Sequence, residues 1–139
     1  QFCLSEARLG LLPATIAPFV IRALGEQAAR RWFVTAERFS ARQAQAMGFV
    51  HEVVAADALD ALDAKVAEIV AALVANGPAA VRACKQLVKD MAGRPIDEAL
   101  RAETARRIAD IRASAEGREG VQSFLNKRAP SWQAQDKPQ

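Results

Sequence analysis

The chain is poor in the residues that build metal and redox sites: 139 residues hold two cysteines and a single histidine. Cys3 and Cys84 stand far apart, without CxxC spacing and without a histidine beside either one. That argues against a disulfide or a zinc site and favours small buried hydrophobes in a reducing cytoplasm. Long apolar runs are absent too. Leu9 to Ile21 is interrupted by Gly10, Pro13 and Pro18 and is too short to span a bilayer, so no membrane role is expected. No block of one charge occurs either: the net charge of +3 comes from scattered arginines. This argues against a polybasic nucleic-acid tail while leaving room for a phosphate-bearing ligand. An initiator methionine is also missing. Gln1 runs directly into the apolar pattern of Phe2, Leu4, Leu9, Leu11 and Leu12, which reads as a chain cut in mid-domain.

What is present describes a helix-rich globular chain, half hydrophobic and a quarter charged. Phe2 to Ser5 reads as the end of a short buried strand, with Glu6 at its exit into a loop. The spacing of Ile16, Phe19, Val20 and Leu24 predicts a helix from about Ala14, with Pro18 in its first turn and Gly25 as its stop. A second short helix carries Ala28, Ala29, Trp32 and Phe33. Ser40 and Gln43 form a capping box for a helix ending at Gly48. Phe49 to Val54, rich in β-branched residues, predicts a second strand. Asp57 is expected to cap a long helix whose Leu59, Leu62, Val66, Ile69, Val70 and Leu73 share one face.

Gly77 and Pro78 then restart the chain into a helix with Val81, Cys84, Leu87, Val88 and Met91 on its stripe. Gly93 and Pro95 mark the next turn. Ile96, Leu100, Thr104, Ile108 and Ile111 predict a further helix, and Ser114 caps a last one through Phe124. From Pro130 onward the chain reads as a frayed tail. Burying the apolar stripe of the 57–75 helix does not by itself offset the entropy of ordering it, so that stripe needs partners.

Glu6 is the one residue singled out for chemistry on position alone. A carboxyl between an apolar strand and an apolar loop is expected to be partly desolvated, a setting that suits general acid work. Against this stands the ordinary reading of a loop or salt-bridge glutamate. His51 has no Ser, Cys or Asp arrangement around it and reads as structural or exposed. Trp32, Phe33 and Phe39 sit at core-packing spacing. Lys127 and Arg128 suit the negative end of a helix dipole and equally suit a phosphate.

Four ordered blocks, FCLSEARLGLLPATIAP, ALGEQAARRWFVTAERFSARQAQAMGFVHEVV, NGPAAVRACKQLV and SAEGREGVQSFLNKRAPSW, resemble the C-terminal half of the enoyl-CoA hydratase/isomerase (crotonase) superfamily. Thr35 to Val50 is similar to the family's helix-and-strand block after the active-site loop, and Glu119, Gly120, Phe124, Lys127 and Arg128 match its closing signature. The resemblance implies a fragment of the α/β crotonase-like spiral fold, predominantly α-helical with two short strands. Residues 1–56 would complete the spiral core, 57–76 form a connecting helix, 77–128 a C-terminal helical oligomerisation region and 129–139 a tail.

In hydratases of this family two glutamates act together, one activating water for attack at C3 and the other handling the proton at C2. The resemblance places Glu6 at the second position and leaves the first, with the oxyanion-binding N–H groups, to the N-terminal half. A fragment without them is expected to be inactive alone. Where many members have glycines after the proline, Pro13 is followed here by Ala14, Thr15 and Ile16. Ala14 would still offer a backbone N–H near the acyl pocket. The PATIAP stretch looks most like hydratases for branched glutaconyl-CoA thioesters, of the methylglutaconyl-CoA or isohexenylglutaconyl-CoA type. Lys127 would approach coenzyme A phosphates, in a homotrimer or hexamer. Coenzyme A enters as part of the substrate, and no cofactor, metal, nucleic acid or membrane is implied. The alternatives are an isomerase of the same superfamily and a non-catalytic helical binding or oligomerisation module.

Overall fold

The computed structural model describes residues 1–55 and 59–136. The chain divides into two compact units, Gln1–Ala61 and Leu62–Gln139.

In the first unit, strand β1 (Phe2–Cys3) leads into a single 3₁₀ turn, Glu6–Leu9, followed by α1 (Ala17–Leu24), α2 (Glu26–Thr35), β2 (Arg38–Phe39) and α3 (Ala41–Ala46). The two strands pair antiparallel, Phe2 opposite Phe39 and Cys3 opposite Arg38. Aromatic packing on this short ladder makes the core. Phe2 stacks on Phe39 at 5.2 Å between ring centroids, Phe49 meets Phe2 edge-on at 5.3 Å, and Trp32 lies 4.8 Å from Phe39. Leu4, Trp32, Phe39 and Ala44 are buried there, with Val20, Phe33 and Met47 against them. The Trp32 indole N–H donates to Met47 Sδ at 3.0 Å. Of the three aromatics read as core from their spacing, Trp32 and Phe39 are buried and Phe33 packs half-buried against them.

Local signals account for most of the helix ends. Gly25, at φ +81°, is at once the stop of α1 and the start of α2, a corner that a side-chain-bearing residue adopts only under strain. α1 begins at Ala17 rather than near Ala14, with Pro18 in the first turn where its missing N–H costs nothing. The capping box at α3 is complete: Ser40 Oγ accepts from the Gln43 N–H at 3.2 Å, and the Ser40 N–H donates to Gln43 Oε1 at 2.8 Å.

Phe49–Val54, expected to be a strand, is not one; the second strand is Arg38–Phe39. A strand needs a ladder partner, and β1 is already paired with β2. Phe49 and Val50 pack their side chains on the core instead, while the Phe49 N–H donates to the Ala44 carbonyl at 2.9 Å. Asp57, expected to cap the next helix, lies outside the described residues.

α4 (Leu59–Val74) begins in the first unit and continues into the second, which contains α5 (Pro78–Met91), α6 (Glu98–Ala113), α7 (Ala115–Leu125) and a 3₁₀ turn, Ser131–Asp136. Pro78 opens α5 as its spacing predicted, but the free N–H groups there are met from a distant position: Glu116 accepts from Ala79 at 2.9 Å and from Ala80 at 2.8 Å. Asp97 caps α6 by accepting from Leu100 N–H at 2.8 Å, and Ser114 caps α7 by accepting from Gly117 N–H at 3.0 Å. α5 and α6 are held by a charge ladder, Arg107 bridging Asp90 at 2.7 Å and Glu103 at 2.5 Å, with Arg94 on Glu103 at 2.8 Å.

The stretch after Pro130 is not frayed through its first residues. Trp132 Nε1 and Gln133 Nε2 donate to the Ala75 carbonyl at 3.3 and 2.7 Å. Cys3 is half-buried and Cys84 exposed, both as free thiols, so the buried reading fails for Cys84. Among the described residues no single helix is long and apolar enough to cross a membrane.

Candidate functional site

Glu6 opens the 3₁₀ turn that follows β1. Leu4, buried just past the strand, pins the turn's entry to the core, and Gly10 at φ +71° closes its exit. The Leu11 N–H then donates to the Glu6 carbonyl at 3.0 Å, so the backbone folds back over the turn. The Glu6 side chain is half-buried, and its Oε2 is shut off from solvent with no hydrogen-bond partner.

That unmet acceptor is the informative feature. Leaving a buried polar group unpaired costs about 1–3 kcal/mol, so a fold that keeps one usually has a use for it. A carboxyl that is desolvated on one oxygen and tied to no cation can donate or receive a proton at a substrate atom brought against it. Beyond it the chain presents apolar side chains: Leu9, Leu11, Leu12 and Phe19 are each 62–75% exposed.

Ala14 lies in the same unit as Glu6 and is exposed, but its N–H donates to the Leu12 carbonyl at 2.9 Å. The donor assigned to an acyl pocket is engaged locally. Lys127 belongs to the second unit; it is exposed and takes a left-handed conformation, φ +51°, just past the end of α7. His51 is exposed, its carbonyl accepting from Gln45 Nε2 at 3.1 Å.

The closing signature acquires a physical account in the second unit. Arg128 grips Glu119 with both nitrogens, at 2.7 and 2.9 Å. The Ser123 hydroxyl and the Ser131 N–H donate to Glu119 Oε1 at 3.0 and 3.1 Å. The Arg128 guanidinium first, then the Ser123 hydroxyl, hold the Glu119 carboxyl down at about 2. A Cβ on Gly120 would stand 3.1 Å from the Trp132 ring, so the glycine leaves room for that indole. Arg128 is thus committed to structure, and Lys127 stands beside it.

Sequence reasoning missed Arg8 and Ala36. Arg8 Nη2 donates to the Ala36 carbonyl at 2.7 Å, and the Cys3 thiol approaches the same oxygen at 3.4 Å. No local pattern announces a bond spanning 28 positions. The open groove of about 580 Å³ lined by Cys84, Leu87, Thr104, Arg107, Ile108 and Ile111 lies wholly in the second unit and does not include Glu6. Among the described residues no three His, Cys, Asp or Glu side chains converge as a metal site would require.

The model of the enoyl-CoA hydratase/isomerase family matches residues 1–135. An enoyl-CoA hydratase of Alternaria alternata is 34% identical over 137 residues, covering 95% of this chain and 44% of its own length. Among solved structures, an enoyl-CoA hydratase of Shewanella pealeana is 43% identical with a TM-score of 0.82, covering 94% of this chain and 48% of that one. The Pseudomonas aeruginosa protein AtuE is 40% identical with a TM-score of 0.83, over 94% of this chain and 50% of that one. The chain spans about half the length of the curated relatives it matches.

Proposed function

This chain belongs to the enoyl-CoA hydratase/isomerase family, and from that premise we propose that it forms the C-terminal half of an enzyme adding water across the C2=C3 double bond of an unsaturated acyl-CoA. The observation that carries the reading is Glu6, a carboxyl kept unpaired at the exit of a strand, with one oxygen closed to water. In the proposed reaction a glutamate of the N-terminal half takes a proton from water as its oxygen bonds to C3. Electron density moves onto the thioester oxygen, held by backbone N–H groups of that same half, and Glu6 delivers a proton to C2. No metal or redox cofactor takes part.

The acyl group we propose is a branched glutaconyl, on the strength of the Pro13-Ala14-Thr15-Ile16 segment. Lys127, exposed beside the committed Arg128, is proposed to meet the coenzyme A phosphates in a trimeric or hexameric enzyme. One observation favours a second reading. A single unpaired carboxylate is all that an isomerase needs to move a proton between two carbons, and among the described residues Glu6 alone has a buried, unsatisfied carboxyl oxygen. A carboxylate in the N-terminal half, aimed at C3, separates hydratase from isomerase.

Glu6→Gln in the full-length protein is expected to lower hydration of methylglutaconyl-CoA by about 10²–10⁴-fold, the usual contribution of a general acid, with the circular dichroism spectrum unchanged. Turnover equal to the parent protein would sink the assignment, and would favour a helical binding module instead.

A further inference from the structure

The oxygen of Glu6 has no partner although a guanidinium leaves the chain two residues later. In a helix of three residues per turn, positions i and i+2 leave from different sides, so Arg8 departs away from Glu6. Its destination is the Ala36 carbonyl, 2.7 Å from Nη2. Ala36 is itself an unusual acceptor. It ends α2 in the left-handed region, φ +50° and ψ +26°, and is 1% exposed, so its carbonyl direction is fixed by a strained, buried corner. The Cys3 thiol reaches the same oxygen, at 3.4 Å, and Cys3 pairs with Arg38 two residues beyond that corner. The turn bearing Glu6 is therefore tied to the α2–β2 corner from both sides, by the strand before Glu6 and by the guanidinium after it.

We propose that Arg8 is a positioning residue for Glu6, an inference that rests on the hydratase reading. Its bond to Ala36 has two effects. It fixes the azimuth of the Glu6–Leu9 turn, and with it the direction in which the carboxyl projects. It also commits the nearest cation in sequence to a neutral carbonyl, so that Glu6 is left free of an ion pair that would hold it from the substrate. A displacement of about 1 Å in a proton-transferring group costs up to about a hundredfold in rate, so the bond acts on turnover rather than on affinity.

The test compares Arg8→Met, Arg8→Lys and Glu6→Gln in the full-length enzyme, with hydration of methylglutaconyl-CoA measured per mole of folded protein. Arg8→Met keeps the aliphatic stem and loses the donor; its kcat should fall about ten- to a hundredfold with KM within about twofold of the parent. Arg8→Lys, which keeps a charged donor, should recover most of the lost kcat. Should Arg8→Met fail to fold, Arg8→Gln, too short to span the same gap, takes its place with the same expected split. Parental kcat in Arg8→Met, a change confined to KM, or no recovery with lysine would overturn the proposal while leaving Glu6 in its role. Full activity in Glu6→Gln would remove the hydratase reading itself, and the positioning role with it.

Discussion

Glu119 and Arg128 show how much a single pair can explain of a motif. The closing EG…F…KR pattern was legible as a pattern, but its physics was not: the arginine grips the glutamate bidentately, the glycine clears space for Trp132, and the phenylalanine and the lysine are left facing outward. The pair also has a pH signature. Its carboxyl titrates at about 2 in the folded chain against an ordinary value of 4.5. Because the folded value is depressed, the stabilisation is fully present above 4.5 and is lost as pH falls towards 2. Glu119→Gln should therefore lower the melting temperature at pH 7 and bring parent and variant together near pH 2. A difference that stays constant across that range would contradict the pairing as the source. The position of Glu6 just past a strand was legible in the sequence. Arg8 was not, because what gives it meaning is a carbonyl far away in sequence whose direction depends on the folded corner.

At the scale of elements, helices were easier to read than strands, for a reason the ends make plain. Ser40, Ser114, Pro78 and Gly25 carry their instructions within a turn of the chain, and each does in the structure what its chemistry implies. A two-residue strand carries no periodicity at all. Arg38–Phe39 exists because Phe2–Cys3 lies beside it, whereas Phe49–Val54 has strand composition but no neighbour to pair with. α5 shows the same dependence on distant residues. Its N-terminus is capped by Glu116, 36 and 37 positions away, and Gly77 is tight against that carboxylate, since a Cβ there would come within 2.5 Å of Oε1. Glu116→Ala should cost about 1–2 kcal/mol, the usual worth of a lost N-cap, seen as a lower urea midpoint at unchanged slope. Glu116→Gln, still an acceptor, should lose less. An alanine variant with the parental midpoint would mean that water serves those N–H groups equally well.

On the scale of the molecule, the apolar faces are the unfinished part. Val66, Ile69, Val70 and Leu73 of α4 are 43–50% exposed, Phe124 is 82% exposed, and Leu9, Leu11, Leu12 and Phe19 stand clear of the first unit's core. The stripe on α4 was expected from its spacing to require partners, and these exposures agree. Soluble proteins rarely leave so much large apolar surface uncovered without a partner for it. In the enzyme proposed above, the N-terminal half and neighbouring subunits would supply that cover. Residues 1–139 expressed alone should therefore bind the dye ANS strongly and melt over a broad range, while the full-length protein binds little dye and unfolds cooperatively. The mixing experiment is sharper than either measurement. Adding the separately produced N-terminal half should quench the dye signal and restore turnover together, because the same apolar surface would be covered as the second glutamate arrives. A chain that melts sharply alone, without dye binding, would show that these faces need no cover and that the half-enzyme reading is wrong.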